Sequence, residues 1–220
     1  MIRACIFDLD GVIVDTAKYH YQAWRRLAWH LEYEFTEEEN EKLKGVSRTE
    51  SLERLLDLAG VQISEKDKKK YCATKNSWYL QLVENMDGSE ILPGVSEFLA
   101  QLKDRHIKIA IGSASKNART ILKRIGLIDA FEVIVDGEGV KKSKPDPEVF
   151  LRGAELMGTL PQETIVFEDS EKGLMAAKAG TFVAVGVGGE NLADFADIVI
   201  PGFKGLEYPT LLESMHLAQV

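Results

Sequence analysis

The sequence predicts an α/β fold, a Rossmann-like parallel sheet covered by helices with an all-helical segment inserted behind its first strand. Three observations predict it. The apolar run Ile2-Arg3-Ala4-Cys5-Ile6-Phe7 leads into Asp8-Leu9-Asp10-Gly11, as a buried parallel strand does when it ends at a ligand crevice. From about Thr16 to Met86 the apolar residues recur at helical spacing, with no convincing strand. From Ile91 onward strand and helix patterns alternate, the sign of a parallel sheet with crossover helices. The first strand belongs with this later part. Residues 1–15 and 88–220 therefore read as a discontinuous core, and residues 16–87 as a helical cap.

In the cap segment one helical stretch carries Tyr19, Ala23, Trp24, Leu27, Ala28 and Leu31. A second carries Leu52, Leu55, Leu56 and Ala59 and is closed by Gly60, a residue suited to the left-handed helix end. A third runs from Ser64 through Tyr71, Trp78, Leu82 and Met86. Beyond it, Pro93-Gly94 introduces a helix through Arg105, and the strand Ile107–Ile111 follows. A helix from Lys116 to Ile125 ends at Gly126. Further strands are predicted at Phe131–Val135, Thr164–Phe167, Phe182–Val187 and Ile198–Ile200.

The 220 residues suffice for a full core, as one large domain or two smaller ones. A formal net charge of −8 argues against nucleic acid as a partner, and any phosphate must be neutralised locally by a metal ion or a few aimed cations. Cys5 and Cys72 lie far apart and read as reduced thiols of a cytoplasmic protein. Asp8 and Asp10 interrupt the apolar stretch near the N-terminus, so neither a signal peptide nor a membrane span is expected.

Four clusters carry the candidate chemistry. At the end of the first strand, one of Asp8 and Asp10 can attack phosphorus while the other handles a proton, and Gly11 allows a tight turn beside a ligand. The plain alternative is a surface turn rich in Asp and Gly. After Ile107–Ile111 comes Gly112-Ser113-Ala114-Ser115-Lys116-Asn117, whose hydroxyls and free amides could cradle phosphate, unless Ser113 or Ser115 is simply a helix cap. Pro145 and Pro147 stiffen the chain around Lys144, which can then aim its ammonium at phosphate oxygens; a solvated basic loop is the competing account. Glu168 and Asp169 end another apolar strand, and with Asp8 they suit a hard cation such as Mg²⁺, against simple capping by Asp169 or Ser170.

Taken together, Asp8-x-Asp10-Gly11, Ser113, Lys144-Pro145 and Glu168-Asp169 resemble the four motifs of the haloacid dehalogenase superfamily over essentially the whole chain. Within it, four segments are similar to the β-phosphoglucomutase family: Asp15-Thr16-Ala17-x-Tyr19-His20-x-x-Ala23-Trp24, Leu43-Lys44-Gly45-Val46-Ser47-Arg48, Lys75-Asn76 and Ser113-Ala114-Ser115-Lys116-Asn117. The resemblance implies interconversion of β-D-glucose 1-phosphate and glucose 6-phosphate through β-D-glucose 1,6-bisphosphate. It implies Asp8 as the nucleophile that becomes an aspartyl phosphate and Asp10 as the acid/base. Mg²⁺ would be held by Asp8, Asp169 and the backbone carbonyl of Asp10, with Glu168 in or next to that shell. Lys144, Ser113 and the Ala114 amide would offset phosphoryl charge.

The same resemblance gives Arg48, with Ser115, Lys116 and Asn117, the grip on the phosphate that is not reacting. Gly45, Val46, Trp24, Ser51 and Lys75 would face the sugar, and Thr16 and His20 would couple cap closure to Asp10. Read without it, Arg48 is an exposed arginine opening a helix, His20 a partly buried helix histidine, Trp24 cap core and Lys75 a solvated helix residue. Rival functions are a sugar-phosphate phosphatase with the same nucleophile and metal, and a non-catalytic sugar-phosphate sensor. Arg48 and Ser115–Asn117 speak against the first, and retention of both Asp8 and Asp10 against the second. A monomer acting on a small sugar phosphate is the expectation, by analogy.

Overall fold

A computed structural model describes residues 1–217; the last three residues of the expected core lie outside the described residues. Six parallel strands form one sheet in the order β3-β2-β1-β4-β5-β6. They are β1 (Ala4–Phe7), β2 (Lys108–Gly112), β3 (Val133–Val135), β4 (Thr164–Glu168), β5 (Val183–Val187) and β6 (Ile198–Ile200). The helices α1 (Ala17–Trp29), α2 (Glu37–Glu41), α3 (Arg48–Ala59) and α4 (Glu65–Val83) all fall between β1 and β2. After them come α5 (Val95–Asp104), α6 (Ala118–Arg124), α7 (Glu148–Met157), α8 (Glu171–Ala179) and α9 (Tyr208–Leu217). None of the described helices is long and apolar enough to cross a membrane.

β1 lies between β2 and β4 and is covered on both faces, which is why it reads as an unbroken apolar run. Cys5 and Phe7 point into the layer built by α5, α6 and α9, whereas Ala4 and Ile6 point into the layer of α7 and α8. Phe7 and Phe167 are in register on β1 and β4, and their rings stack with centroids 4.7 Å apart. Each is followed directly by an acid, so this stack brings Asp8 and Glu168 side by side.

Trp24, Leu27, Phe35, Leu52, Leu55 and Leu56 form a separate apolar cluster among the inserted helices. Ala23, Tyr79 and Val83, from α1 and α4, pack instead into the sheet-side core. The chain enters and leaves this segment through one narrow crossing: Leu92 N–H donates to Ile13 O at 2.9 Å, and Val14 bridges Ile91 antiparallel.

Several boundaries differ from the pattern-based ones, each for a local reason. Ile107 closes the end of α5 by donating to Leu102 O at 3.0 Å, so β2 starts one residue later. Asn117 N–H donates to Ser115 Oγ at 3.2 Å, which keeps Lys116 and Asn117 in a loop and delays α6 to Ala118. β3 and β5 begin later than expected, at Val133 and Val183, and β4 runs on to Glu168, still paired with Gly186. α4 ends at Val83, and Met86 packs into the sheet-side core from beyond it. The short α2, absent from the periodic reading, is fixed by a capping box between Thr36 and Glu39.

Candidate active site

The carboxyl ends of β1, β2 and β4 meet the inserted helices around a cavity of about 420 Å³. Asp8, Asp10, Gly11, Lys144 and Asp169 line it from the sheet side, with Ala114, Ser115, Lys116 and Asn117. Thr16, His20, Trp24, Lys44, Gly45, Val46, Arg48, Ser51, Lys75 and Asn76 line it from the other side. Of the sequence-derived site residues, Ser113 and Glu168 sit behind this lining, both fully buried.

Asp8 N–H donates to Phe167 O at 2.9 Å, continuing the ladder that fixes the loop after β1. Lys144 Nζ lies 2.6 Å from Asp8 Oδ1 and 3.0 Å from Glu168 Oε1. It is buried, so the solvated-loop account of Lys144 does not hold. Ser170 Oγ accepts from Gly173 N–H as the cap of α8, and its hydroxyl and amide also reach the Glu168 carboxylate. Ser170 thus does the capping, which leaves Asp169 turned toward the cavity. A Cβ on Gly11 would come within 2.1 Å of Asp169 Oδ2, so only glycine lets this turn pass so close to the acid.

Asp8, Glu168 and Asp169 each offer a carboxylate oxygen within 4.8 Å of the others. Asp10 does not share that group, because its Oδ1 accepts a short hydrogen bond from Thr16 Oγ1. Lys144 and Lys44 are the cations paired with this acidic group, and Lys44 Nζ is 3.1 Å from Asp169 Oδ2. Burial pushes the Asp8 carboxyl well above the usual range, with Lys144 pulling against it. Burial and Glu168 push Asp169 up to about 7, opposed by Lys44. Burial raises Asp10 as well, against the Thr16 hydrogen bond. Three carboxylates thus converge on one point where burial and mutual repulsion disfavour their charge. A divalent cation with oxygen ligands fits that donor set.

Two helix starts forgo ordinary capping in favour of the cavity. Thr16 precedes α1, yet its hydroxyl serves Asp10 and makes no cap bond. Asn117 precedes α6, and its Nδ2 donates to Asn76 Oδ1 on α4 at 2.9 Å. Neither Ser113 nor Ser115 is the helix cap; Ser113 Oγ accepts from Ser115 N–H at 3.0 Å, folding the loop back on itself. α3 does use its cap: Ser47 Oγ accepts from Glu50 N–H, which places Arg48 at the first helical position. Arg48 lines the cavity half-buried and takes part in none of the ion pairs among the described residues.

Lys75 is buried rather than solvated, and its Nζ lies 3.0 Å from His20 Nδ1. The amine also sits 4.5 Å from the Trp24 ring centre and 4.9 Å from that of Tyr79. Burial and then Arg48 push Lys75 down to about 7. Burial, Lys75 and Arg48 hold His20 well below its ordinary value. Trp24 both fills the helical cluster and lines the cavity. The Ser51 hydroxyl donates to Ser47 O at 3.1 Å. Cys5 and Cys72 are free thiols.

Three residues of this region were given no role from the sequence: Lys44 on Asp169, Asn76 on Asn117, and Tyr79, whose buried hydroxyl lacks a hydrogen-bond partner beside His20. Lys44 and Asn76 stand inside the segments quoted for the family resemblance, which was the signal available.

Comparison with known proteins agrees with this geometry. The haloacid dehalogenase-like hydrolase family model matches residues 5–187. The β-phosphoglucomutase of Bacillus subtilis (strain 168) is 41% identical over 201 residues, covering 90% of this chain and 89% of that protein. The crystal structure of β-phosphoglucomutase from Clostridium difficile superposes with a TM-score of 0.94 at 39% identity, covering 99% of this chain and 98% of that one. A phosphorylated carbohydrates phosphatase of Thermotoga maritima is 34% identical, covering 81% of each chain. The chain belongs to the haloacid dehalogenase-like hydrolase family, as an enzyme of the β-phosphoglucomutase type.

Proposed function

We propose that the protein interconverts β-D-glucose 1-phosphate and glucose 6-phosphate through an aspartyl phosphate on Asp8 and β-D-glucose 1,6-bisphosphate. The observation that carries this reading is Arg48, a cavity-lining guanidinium without an ion-pair partner among the described residues, which shares one cavity with Asp8. A hydrolase needs one phosphate grip; a mutase must hold a second phosphate while the first reacts. Arg48 can do so bidentately, helped by Ser115, Lys116 and Asn117.

Asp8 attacks the phosphorus of the bisphosphate, and the bond to the departing sugar oxygen breaks. Asp10, whose carboxyl burial raises above its ordinary range, gives that oxygen its proton and takes one back from the attacking hydroxyl in the return step. Lys144 and the Ala114 amide face the charge that develops on the phosphoryl oxygens, with Ser113 buried behind them and holding the loop. Asp8, Asp169, the Asp10 carbonyl and, beside them, Glu168 would hold Mg²⁺, which when bound neutralises phosphoryl charge. Thr16, tied to Asp10, and His20, tied to Lys75, would link cap position to the state of the acid/base. The bisphosphate turns over between transfers, so each phosphate visits Asp8 in turn.

In this reading residues 16–87 act as a cap on a core of residues 1–15 and 88–220, and closure keeps water from the aspartyl phosphate. Gly45, Val46, Trp24, Ser51 and Lys75 shape its sugar side. The enzyme works as a cytoplasmic monomer on a small-molecule sugar phosphate, without nucleic acid or membrane.

Product analysis by phosphorus NMR tests the reading, with Mg²⁺, β-glucose 1-phosphate and a trace of the 1,6-bisphosphate. Glucose 6-phosphate without inorganic phosphate is the expected result. Inorganic phosphate and glucose would instead make the protein a phosphatase, as the Thermotoga maritima relative is named.

A further inference from the structure

We propose that Glu50 and Lys172 form a cross-cleft ion pair that sets the spacing between the two phosphate-handling ends of the site, and through it the partition of the phosphoryl group between sugar and water. The proposal rests on the mutase reading above. Lys172 Nζ lies 2.5 Å from Glu50 Oε1 and joins α8 on the sheet side to α3 of the inserted helices. Arg54, one turn further along α3, holds the same Glu50 oxygen at 2.8 Å. The carboxylate is therefore aimed by its own helix, and Lys172 is the group that completes the crossing.

Position in the chain gives the pair its leverage. Glu50 stands two residues after Arg48, and Lys172 three residues after Asp169. Arg48 and Glu50 share the first turn of α3, and Asp169 leads into α8 through its cap Ser170, whose hydroxyl is held by Glu168 and Gly173, so the length of this ion pair sets how far the Arg48 end stands from the carboxylate end. Lys44–Asp169 and Asn76–Asn117 also cross the cleft, but all four of those side chains line the cavity and can exchange partners when a ligand enters, while Lys18 and Tyr19 meet Glu90 at the chain crossing beside Ile91. Glu50 and Lys172 are outside the cavity lining and can persist through turnover. The neighbouring contact leaves no slack, since a Cβ on Gly45 would lie 2.5 Å from Ser170 Oγ.

Both side chains are about one-third exposed, so the pair is worth about a two- to fivefold shift in the closed population. Lys172→Met, Lys172→Arg, Glu50→Gln and the Met/Gln double variant test it, with Arg54 kept. Phosphorus NMR gives the ratio of inorganic phosphate to glucose 6-phosphate, and steady-state kinetics give KM for the 1,6-bisphosphate.

Lys172→Met and Glu50→Gln should each raise the hydrolysed share and that KM by about two- to fivefold. The double variant should be no worse than either single, and Lys172→Arg should behave as the parent. Hydrolysis of an aryl phosphate, which uses only the Asp8 end, should not change. High salt should move the parent toward Lys172→Met. Additive losses, or an unchanged partition in variants with parental circular dichroism, would overturn the pair's role. A parent that releases glucose and phosphate would overturn the mutase reading instead.

Discussion

Lys144 Nζ stands 2.6 Å from Oδ1 of Asp8, and neither side chain is more than 9% exposed. The same ammonium holds Glu168, so one buried cation supports two buried acids. Removing it strands them. Lys144→Met is expected to lower stability by about 3–5 kcal/mol. Asp8→Asn in that background should recover part of the loss by deleting one of the stranded charges. Urea denaturation of the single and double variants measures both effects, and equal stabilities would mean that the two acids do not depend on Lys144.

The pH dependence of stability should carry a mark from Lys75. Burial and Arg48 hold its ammonium down to about 7 in the folded protein, against the ordinary 10.5 of an unfolded chain. Between those values the unfolded state binds the extra proton. Native stability therefore climbs as pH rises, by at most about 1.4 kcal/mol per pH unit from this group. Below about 7 both states are protonated and the full penalty applies. Lys75→Met should gain most over the parent at about pH 6 and lose that advantage toward about pH 10. Urea midpoints at several pH values measure it; a constant difference between the two proteins would count against a depressed Lys75.

Gly45 and Gly60 both adopt left-handed backbone, with φ of 70° and 65°, but their surroundings differ. An added Cβ meets Ser170 at Gly45 and nothing within 4 Å at Gly60. Alanine at either site should cost about 1–2 kcal/mol in backbone strain. Gly45→Ala alone should also hold the cleft open and cut mutase turnover by about tenfold or more. Thermal melts compared with coupled glucose 6-phosphate assays separate the two effects. Matched activity losses in both variants would mean that Gly45 matters only for its backbone.

Magnesium should stabilise the protein in proportion to its occupancy, by about 2.7 kcal/mol at one hundred times its Kd. Asp169→Asn should remove most of that gain. In chelator the same variant should be as stable as the parent or more so, because it deletes one of several crowded buried acids. Melting curves with EDTA and with Mg²⁺ test both signs. A gain that survives in Asp169→Asn would place the cation elsewhere.

The sheet and its motifs were legible because each acid or hydroxyl ends an apolar run, and a buried parallel strand has few other readings. Asp8 after Phe7 and Glu168 after Phe167 show this most directly. Helix starts were harder. Ser113 and Ser115 read as possible caps of α6, and only the folded loop, with Ser113 holding Ser115 and Asn117 reaching Asn76, shows that they are not. The burial of Lys75 was hidden as well, since a lysine on a polar helix reads as solvated until Trp24, His20 and Tyr79 are seen around it. Contacts such as Glu50–Lys172 join residues 122 positions apart and leave no local pattern.

The place of β1 between β2 and β4 also governs how the chain can be made. β1 is made before both of its partner strands, so Ala4 must wait for Lys108 on one side and Thr164 on the other. Until both are made, the strand leading into Asp8 has open hydrogen-bonding edges while the helices behind it can already associate. A nascent chain halted before Glu168 therefore holds Asp8 with no acid beside it and no finished sheet beneath it. Synthesis thus delivers Asp8 well ahead of Lys144 and Glu168, so a product cut short before Lys144 carries the acid without the ion pair that holds it.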